Sequence, residues 1–182
     1  MTATAASSTA RFSLAQLEAA LWARGRVYAV IDGCRVPGLA ERLQDSGADF
    51  NCLSRGQLDD AQAARAAYIA ELRPDEPLLR WLVDEATTAF TGWGVLLVSN
   101  RSLLAMREYA RDLAEVQLPD GRRRPWRWWD PVLLDALLPL LAPGQRDQVF
   151  AHGQTLVGLA PQVWLWWSQA EGVLQREARC LL

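Results

Sequence analysis

VYAVIDGCRVPGLAERLQDSGADFNCL, Val27 to Leu53, decides the fold class, because strand, turn, helix and strand follow one another within it. Val27 to Ile31 is an unbroken apolar, β-prone run of the kind found in a strand buried on both faces. Asp32-Gly33 turns the chain out of that strand. A short helix then begins near Pro37, carries Leu39 and Leu43 four apart and stops at Gly47, after which Asp49 to Leu53 reads as a second strand.

The alternation continues in both directions. Upstream, Ser13 and Gln16 have capping-box spacing, Leu14, Leu17, Leu21 and Trp22 share one helix face, and Gly25 ends that helix. Downstream, Leu58 to Ala66 is a minor helix, Tyr68 to Leu72 a third strand, and Pro77 opens an amphipathic helix with Leu78, Trp81, Leu82 and Glu85. Val95 to Val98 is another strand, and Ser99 or Asn100 caps a helix carrying Leu103, Met106, Arg107 and Ala110. Pro119-Asp120-Gly121 joins Ala114 to Leu118 and Arg123 to Trp129 as a hairpin that makes the sheet mixed. Asp130-Pro131 starts a leucine-rich helix that Pro139 should kink or end.

The expectation is therefore an α/β fold: a mixed sheet of about five or six strands with flanking helices and a short helical C-terminal extension. Residues 1–12 are expected to be a disordered tail, residues 13–150 the α/β domain, and residues 151–182 a Trp-rich extension. Within the extension, Glu171 to Leu182 is helix-compatible, with Val173, Leu174, Ala178 and Leu181 along one side. Six of the nine tryptophans fall in the last 57 residues, where an even spread would place about three.

Composition narrows the function classes. With 19 basic and 21 acidic residues the net charge is −2, which supplies no global field to draw in nucleic acid or an anionic membrane. The most apolar stretches, Val132 to Leu141 and Val163 to Trp167, are far short of the ~20 residues that span a bilayer. MTATAASSTA has no basic or apolar region of signal-peptide type, and Cys34, Cys52 and Cys180 show no pairing pattern, so cytoplasmic localisation with reduced thiols is expected.

Four blocks together carry a resemblance. VYAVIDGCRVPGLAERLQDSGADFNCL (Val27 to Leu53), AYIAELRPDEPLLRWLVDE (Ala67 to Glu85), GWGVLLVSNRSLLAMREYAR (Gly92 to Arg111) and VQLPDGRRRPWRWWDPVLLDALLPLL (Val116 to Leu141) follow, in order, the pattern of the type VI secretion effector adaptors. The chain resembles that family over about Val27 to Phe150. The resemblance implies a chaperone that is not an enzyme, with a cognate secreted toxin as one partner and the VgrG spike or a related tip protein as the other. Members often carry a longer, variable C-terminal lobe thought to choose the partner, whereas about thirty residues follow Phe150 here.

The residues themselves point to binding in two places. Arg122 to Trp129, RRRPWRWW, would on a strand put Arg124, Trp126 and Trp128 on one face and Arg123, Arg127 and Trp129 on the other. The plain reading is Arg stems packed over Trp rings. The functional reading is a partner-binding strand, since Trp and Arg are enriched in interface hot spots and Pro125 favours a sheet edge. Arg124, Trp126, Arg127 and Trp128 are the candidate anchors. Trp164 and Trp166, with Trp167 in QVWLWWSQ, are the next candidates, either as a satellite core or as an exposed patch. Interleaved Arg and Trp also suit single-stranded nucleic acid, but no domain-scale basic footprint accompanies them, so no nucleic-acid partner is expected.

No catalytic residues, cofactor or metal are expected. His152 is the sole histidine and has no nucleophile elbow near it; Cys34, Cys52 and Cys180 lack ligand spacing; and a chain without lysine has no P-loop. The alternatives are an immunity-like toxin-binding protein and a small hydrolase using His152.

Overall fold

A computed structural model describes residues 11–117 and 121–182. The strands are β1 (Arg11–Phe12), β2 (Arg26–Asp32), β3 (Phe50–Cys52), β4 (Ala67–Leu72), β5 (Gly94–Ser99), β6 (Glu115–Gln117), β7 (Arg123–Pro125), β8 (Thr155–Ala160), β9 (Val163–Ala170) and β10 (Val173–Leu181). The helices are α1 (Leu14–Trp22), α2 (Leu39–Ser46), α3 (Asp60–Arg65), α4 (Pro77–Trp81), α5 (Thr87–Ala89), α6 (Leu103–Leu113), α7 (Pro131–Leu137) and α8 (Pro143–Val149).

The fold is mixed α/β, and its sheet has eight strands in the order β1-β10-β9-β8-β5-β2-β4-β3, more than the five or six expected. All neighbours are antiparallel except β1 and β10, where Arg11 lies opposite Cys180 and Phe12 opposite Leu181. That parallel pair makes the sheet mixed. The expected hairpin forms between β6 and β7 but stands outside the main sheet, so it is not the source of the mixing.

The helical C-terminal extension is replaced by β8, β9 and β10, which occupy consecutive places in the sheet. Long-range pairing outweighs the helix-compatible spacing of Glu171 to Leu182: β10 runs beside β9 from Val173 opposite Ala170 to Cys180 opposite Val163. Arg11 and Phe12, assigned to the tail, form β1, while residues 1–10 lie outside the described residues.

Both sheet faces are covered. On one, α1 lays Leu17 and Leu21 over Val27, Val98, Val157, Trp164 and Trp166. On the other, α6 and α7 bring Met106, Ala110 and Leu134 against Tyr28, Val30, Leu97 and Leu156. Full burial of β2 from Val27 to Asp32 follows from that sandwiching. Entry into β5 depends on Gly94, whose φ is +156° and where a Cβ would lie 1.9 Å from the Val30 carbonyl oxygen.

Local signals account for most helix ends. Ser13 and Gln16 form the capping box, with Ser13 Oγ accepting from the Gln16 N–H at 3.3 Å and Gln16 Oε1 accepting from the Ser13 N–H at 2.8 Å. Helix α6 is capped by Ser102 rather than Ser99 or Asn100. The helix opened by Pro77 passes through a π turn, Leu82–Ala86, which turns Ala86 and Thr87 inward and leaves Glu85 exposed. At Pro139 the chain tightens into a 3-10 turn, Leu138–Leu140, as the sequence required.

Candidate functional site

The Arg/Trp segment is held by a buried carboxylate at the far end of β2. Asp32 is 2 % exposed. Its Oδ1 accepts the Cys34 N–H at 2.8 Å, while Oδ2 accepts the Trp129 indole N–H at 3.0 Å and a bond from the Arg127 guanidinium. One carboxylate thus closes the turn after β2 and fastens a segment that arrives 95 residues later.

Trp128 completes the fastening. Its ring is fully buried and its N–H donates to the Ala110 carbonyl of α6 at 3.0 Å. Tyr109 and Trp129 each meet it edge-on with centroids 6.0 Å away. Asp130 then caps α7, accepting from the Val132 N–H at 2.9 Å. Helix α6 is itself fixed, because Arg111 donates to the carbonyls of Cys52, Leu53 and Ser54 at 3.0 to 3.1 Å. Arg107, Arg111 and Arg55 surround Glu108, and Arg107 foremost holds its carboxyl below the usual range.

This arrangement differs from a regular strand through Trp129. Strand β7 ends at Pro125 with one more ladder bond, the Trp126 N–H to the Ala114 carbonyl at 2.7 Å, and the indoles of Trp128 and Trp129 beyond it are both drawn inward. Trp128 is therefore a core residue and not a surface anchor. Arg127 is an ion-pair partner whose side chain stays 42 % exposed.

The part left facing solvent is the hairpin. Arg123, Arg124 and Pro125 are exposed; Arg123 pairs with Glu115 at 3.3 Å, and Arg124 has no ion-pair partner among the described residues. Trp126 is half-buried and lines a cavity of about 290 Å³ with Asp112, Leu113, Glu115, Leu141, Gln145, Gln148 and Val149. Its indole N–H is buried without a hydrogen-bond partner among the described residues. Among the described residues this leaves an indole donor without a partner beside two carboxylates, with the exposed Arg124 guanidinium two residues away in the chain.

Trp164 and Trp166 lie elsewhere. They are 1 % and 3 % exposed, on the β9 face that α1 covers, so neither ring forms an exposed patch. Arg179 and Arg24 sit over Trp166 at 4.1 and 5.6 Å. Trp167 is buried on the opposite face and donates to Asp135 at 3.1 Å. His152 is exposed, edge-on to Tyr109 at 5.7 Å, and its ring makes no hydrogen bond among the described residues.

Sequence reasoning missed Asp32, which reads as an ordinary turn residue. Its signal was an acid ending an otherwise wholly apolar strand, where a lone buried charge demands a distant cation. Arg127 is that cation.

The model of a domain of unknown function, DUF4123, matches residues 27–148. The chain belongs to this family. No curated protein and no solved structure matches it. The DUF4123 match runs from β2 into α8 and takes in the whole Asp32–Arg127–Trp129 constellation, whereas α1, β8, β9 and β10 lie outside it. No helix among the described residues is long and apolar enough to cross a membrane.

Proposed function

We propose that this protein is a non-catalytic adaptor that binds a cognate toxic effector and loads it onto the VgrG spike of a type VI secretion system before export. Membership of DUF4123 supports the reading, because the four sequence blocks that resemble the effector adaptors all lie within the matched span. The observation that carries it is the rigidly footed Arg/Trp hairpin. Asp32 and Trp128 anchor the chain at its base, so the backbone that carries Arg123, Arg124 and Trp126 is held in place before a partner arrives. The protein would act in the cytoplasm, where holding the toxin's loading segment covers apolar surface and raises the toxin's concentration at the spike tip.

The secreted proteins of the producing strain, compared with and without the gene, test the proposal. One toxin should disappear from the medium while the tube component is still exported, and Arg124→Glu with Trp126→Ala should reproduce that loss with an unchanged unfolding midpoint. An unchanged set of exported proteins counts against an adaptor. Protection from the toxin in cells lacking the secretion machine would instead identify an immunity protein.

A further inference from the structure

A second site lies at the opposite end of β2 from Asp32, where three segments outside the hairpin meet. A cavity of about 340 Å³ is lined by Arg24, Ser99, Asn100, Arg101, His152 and Thr155, with Val98 and Gly153. Its charged lining is wholly basic, in a chain of net charge −2. Neither Arg24 nor Arg101 has an ion-pair partner among the described residues. Arg24 also acts on the Glu177 carboxylate, both of whose oxygens Arg179 already holds at 2.9 Å.

Each segment is fixed from behind. The buried Tyr28 hydroxyl donates to the Arg101 carbonyl at 2.5 Å, and Ser99 Oγ accepts the Arg101 N–H at 3.3 Å. Gly25 lets the end of α1 close on that turn: its φ is +148°, and a Cβ would stand 2.7 Å from Asn100 Oδ1. That approach brings Arg24 to the same cavity as Arg101. On the third side, Gln154 Oε1 accepts the His152 N–H at 2.9 Å and the Tyr109 ring braces the imidazole.

The floor is polar and unspent. Thr155, 6 % exposed, lines the cavity with a hydroxyl that has no hydrogen-bond partner among the described residues. Arg24, which also lies over Trp166 at 5.6 Å, Arg101, His152 and the Thr155 hydroxyl line the cavity with no carboxylate among them, a donor set for an anion with several oxygens.

We propose that this cavity binds a phosphate group, free or as the monoester of a small molecule. Arg24 and Arg101 supply charge, and Thr155 supplies a hydroxyl donor. The site does not depend on what the hairpin holds. As the sole histidine, His152 gives one set of ring resonances that reports directly on occupancy.

The test is a titration of the full chain with inorganic phosphate at pH 7 and constant ionic strength, read from the His152 ring. The expected result is a saturable shift, weakened about tenfold by Arg101→Gln and by Arg24→Gln but not by Arg35→Gln. A parallel titration with adenosine monophosphate separates the sources: equal affinity identifies the bare anion, and tighter binding identifies an ester. A linear drift that sodium chloride reproduces overturns the proposal, as does a response that survives both Arg substitutions together. Acetate binding as tightly as phosphate would reassign the cavity to carboxylates.

Discussion

Replacing Asp32 with alanine should cost about 3 to 4 kcal/mol of folding stability, and the sum can be built from its three partners. The Trp129 indole N–H is left without an acceptor in a residue only 8 % exposed, which costs about 1 to 3 kcal/mol. Arg127 is 42 % exposed and can rehydrate, so loss of its ion pair adds no more than about 1 kcal/mol. The missing carboxylate volume adds roughly another 1 kcal/mol, and the Cys34 N–H, near the surface, can turn to water. The total sits at the lower end of the ~3 to 5 kcal/mol expected when one partner of a fully buried ion pair is removed. Asp32→Asn keeps the volume and one acceptor and should cost about half as much. Urea unfolding followed by circular dichroism gives the two values, and the alanine variant should melt about 10 °C lower. The Trp129 indole proton should also exchange faster in the variant. A loss below about 1 kcal/mol with that proton still protected would mean that Asp32 does not hold the segment.

Two further outcomes separate core from surface and set the acid response. Trp164→Ala should cost about 3 to 5 kcal/mol, against no more than about 1 for Trp126→Ala, because only the former empties a closed site; equal unfolding midpoints would remove β9 from the core. Asp135 is held below the usual carboxylate range, first by the Arg176 fork at 2.6 and 2.9 Å and further by the Trp167 N–H, against the opposing effect of partial burial. A depressed folded-state value gives stability that is present above the unfolded pKa of ~3.9 and is lost as pH falls through the folded value. Asp135→Asn should therefore be about 1 kcal/mol less stable than the wild type at pH 7, a figure kept small because Arg176 is half exposed, and the gap should close towards pH 3. A gap of unchanged size at pH 3 would contradict it.

The first half of the fold was legible because its signals are local. Val27 to Ile31, the Pro37 to Gly47 helix and the capping pairs need no distant partner to be read, and each appears within a residue or two of its expected place. The C-terminal strands were not legible in the same way. Val173, Leu174, Ala178 and Leu181 satisfy a helical stripe, and only the pairing with β9 decides against it. The tryptophans of β9 did carry a strand signal, since Trp164 and Trp166 are two apart and share one face while Trp167 faces the other. The Arg/Trp site was half visible. Residue type singled out the segment, but a strand's alternation could not show that Asp32 draws Arg127 and Trp129 to one carboxylate and leaves the hairpin outside.

The family match and the sheet do not share a boundary, and this bears on how recognition can be studied. Residues 27–148 hold β2 to β5 and the hairpin, so the hairpin's footing draws on matched residues alone. Strand β5, however, lies between β2 and β8, and Leu96 to Val98 are paired on one side by Thr155 to Val157. A segment cut at residue 148 would leave that apolar strand as an open edge and strip Trp164 and Trp166 from the core that α1 covers. The phosphate cavity would lose His152 and Thr155 in the same cut. The matched segment is thus half of one sheet rather than a unit that closes its own core. Binding measured on it alone would report exposed sheet edge and apolar face, whereas the intact chain covers both and leaves Arg124 exposed and Trp126 half-buried at the surface.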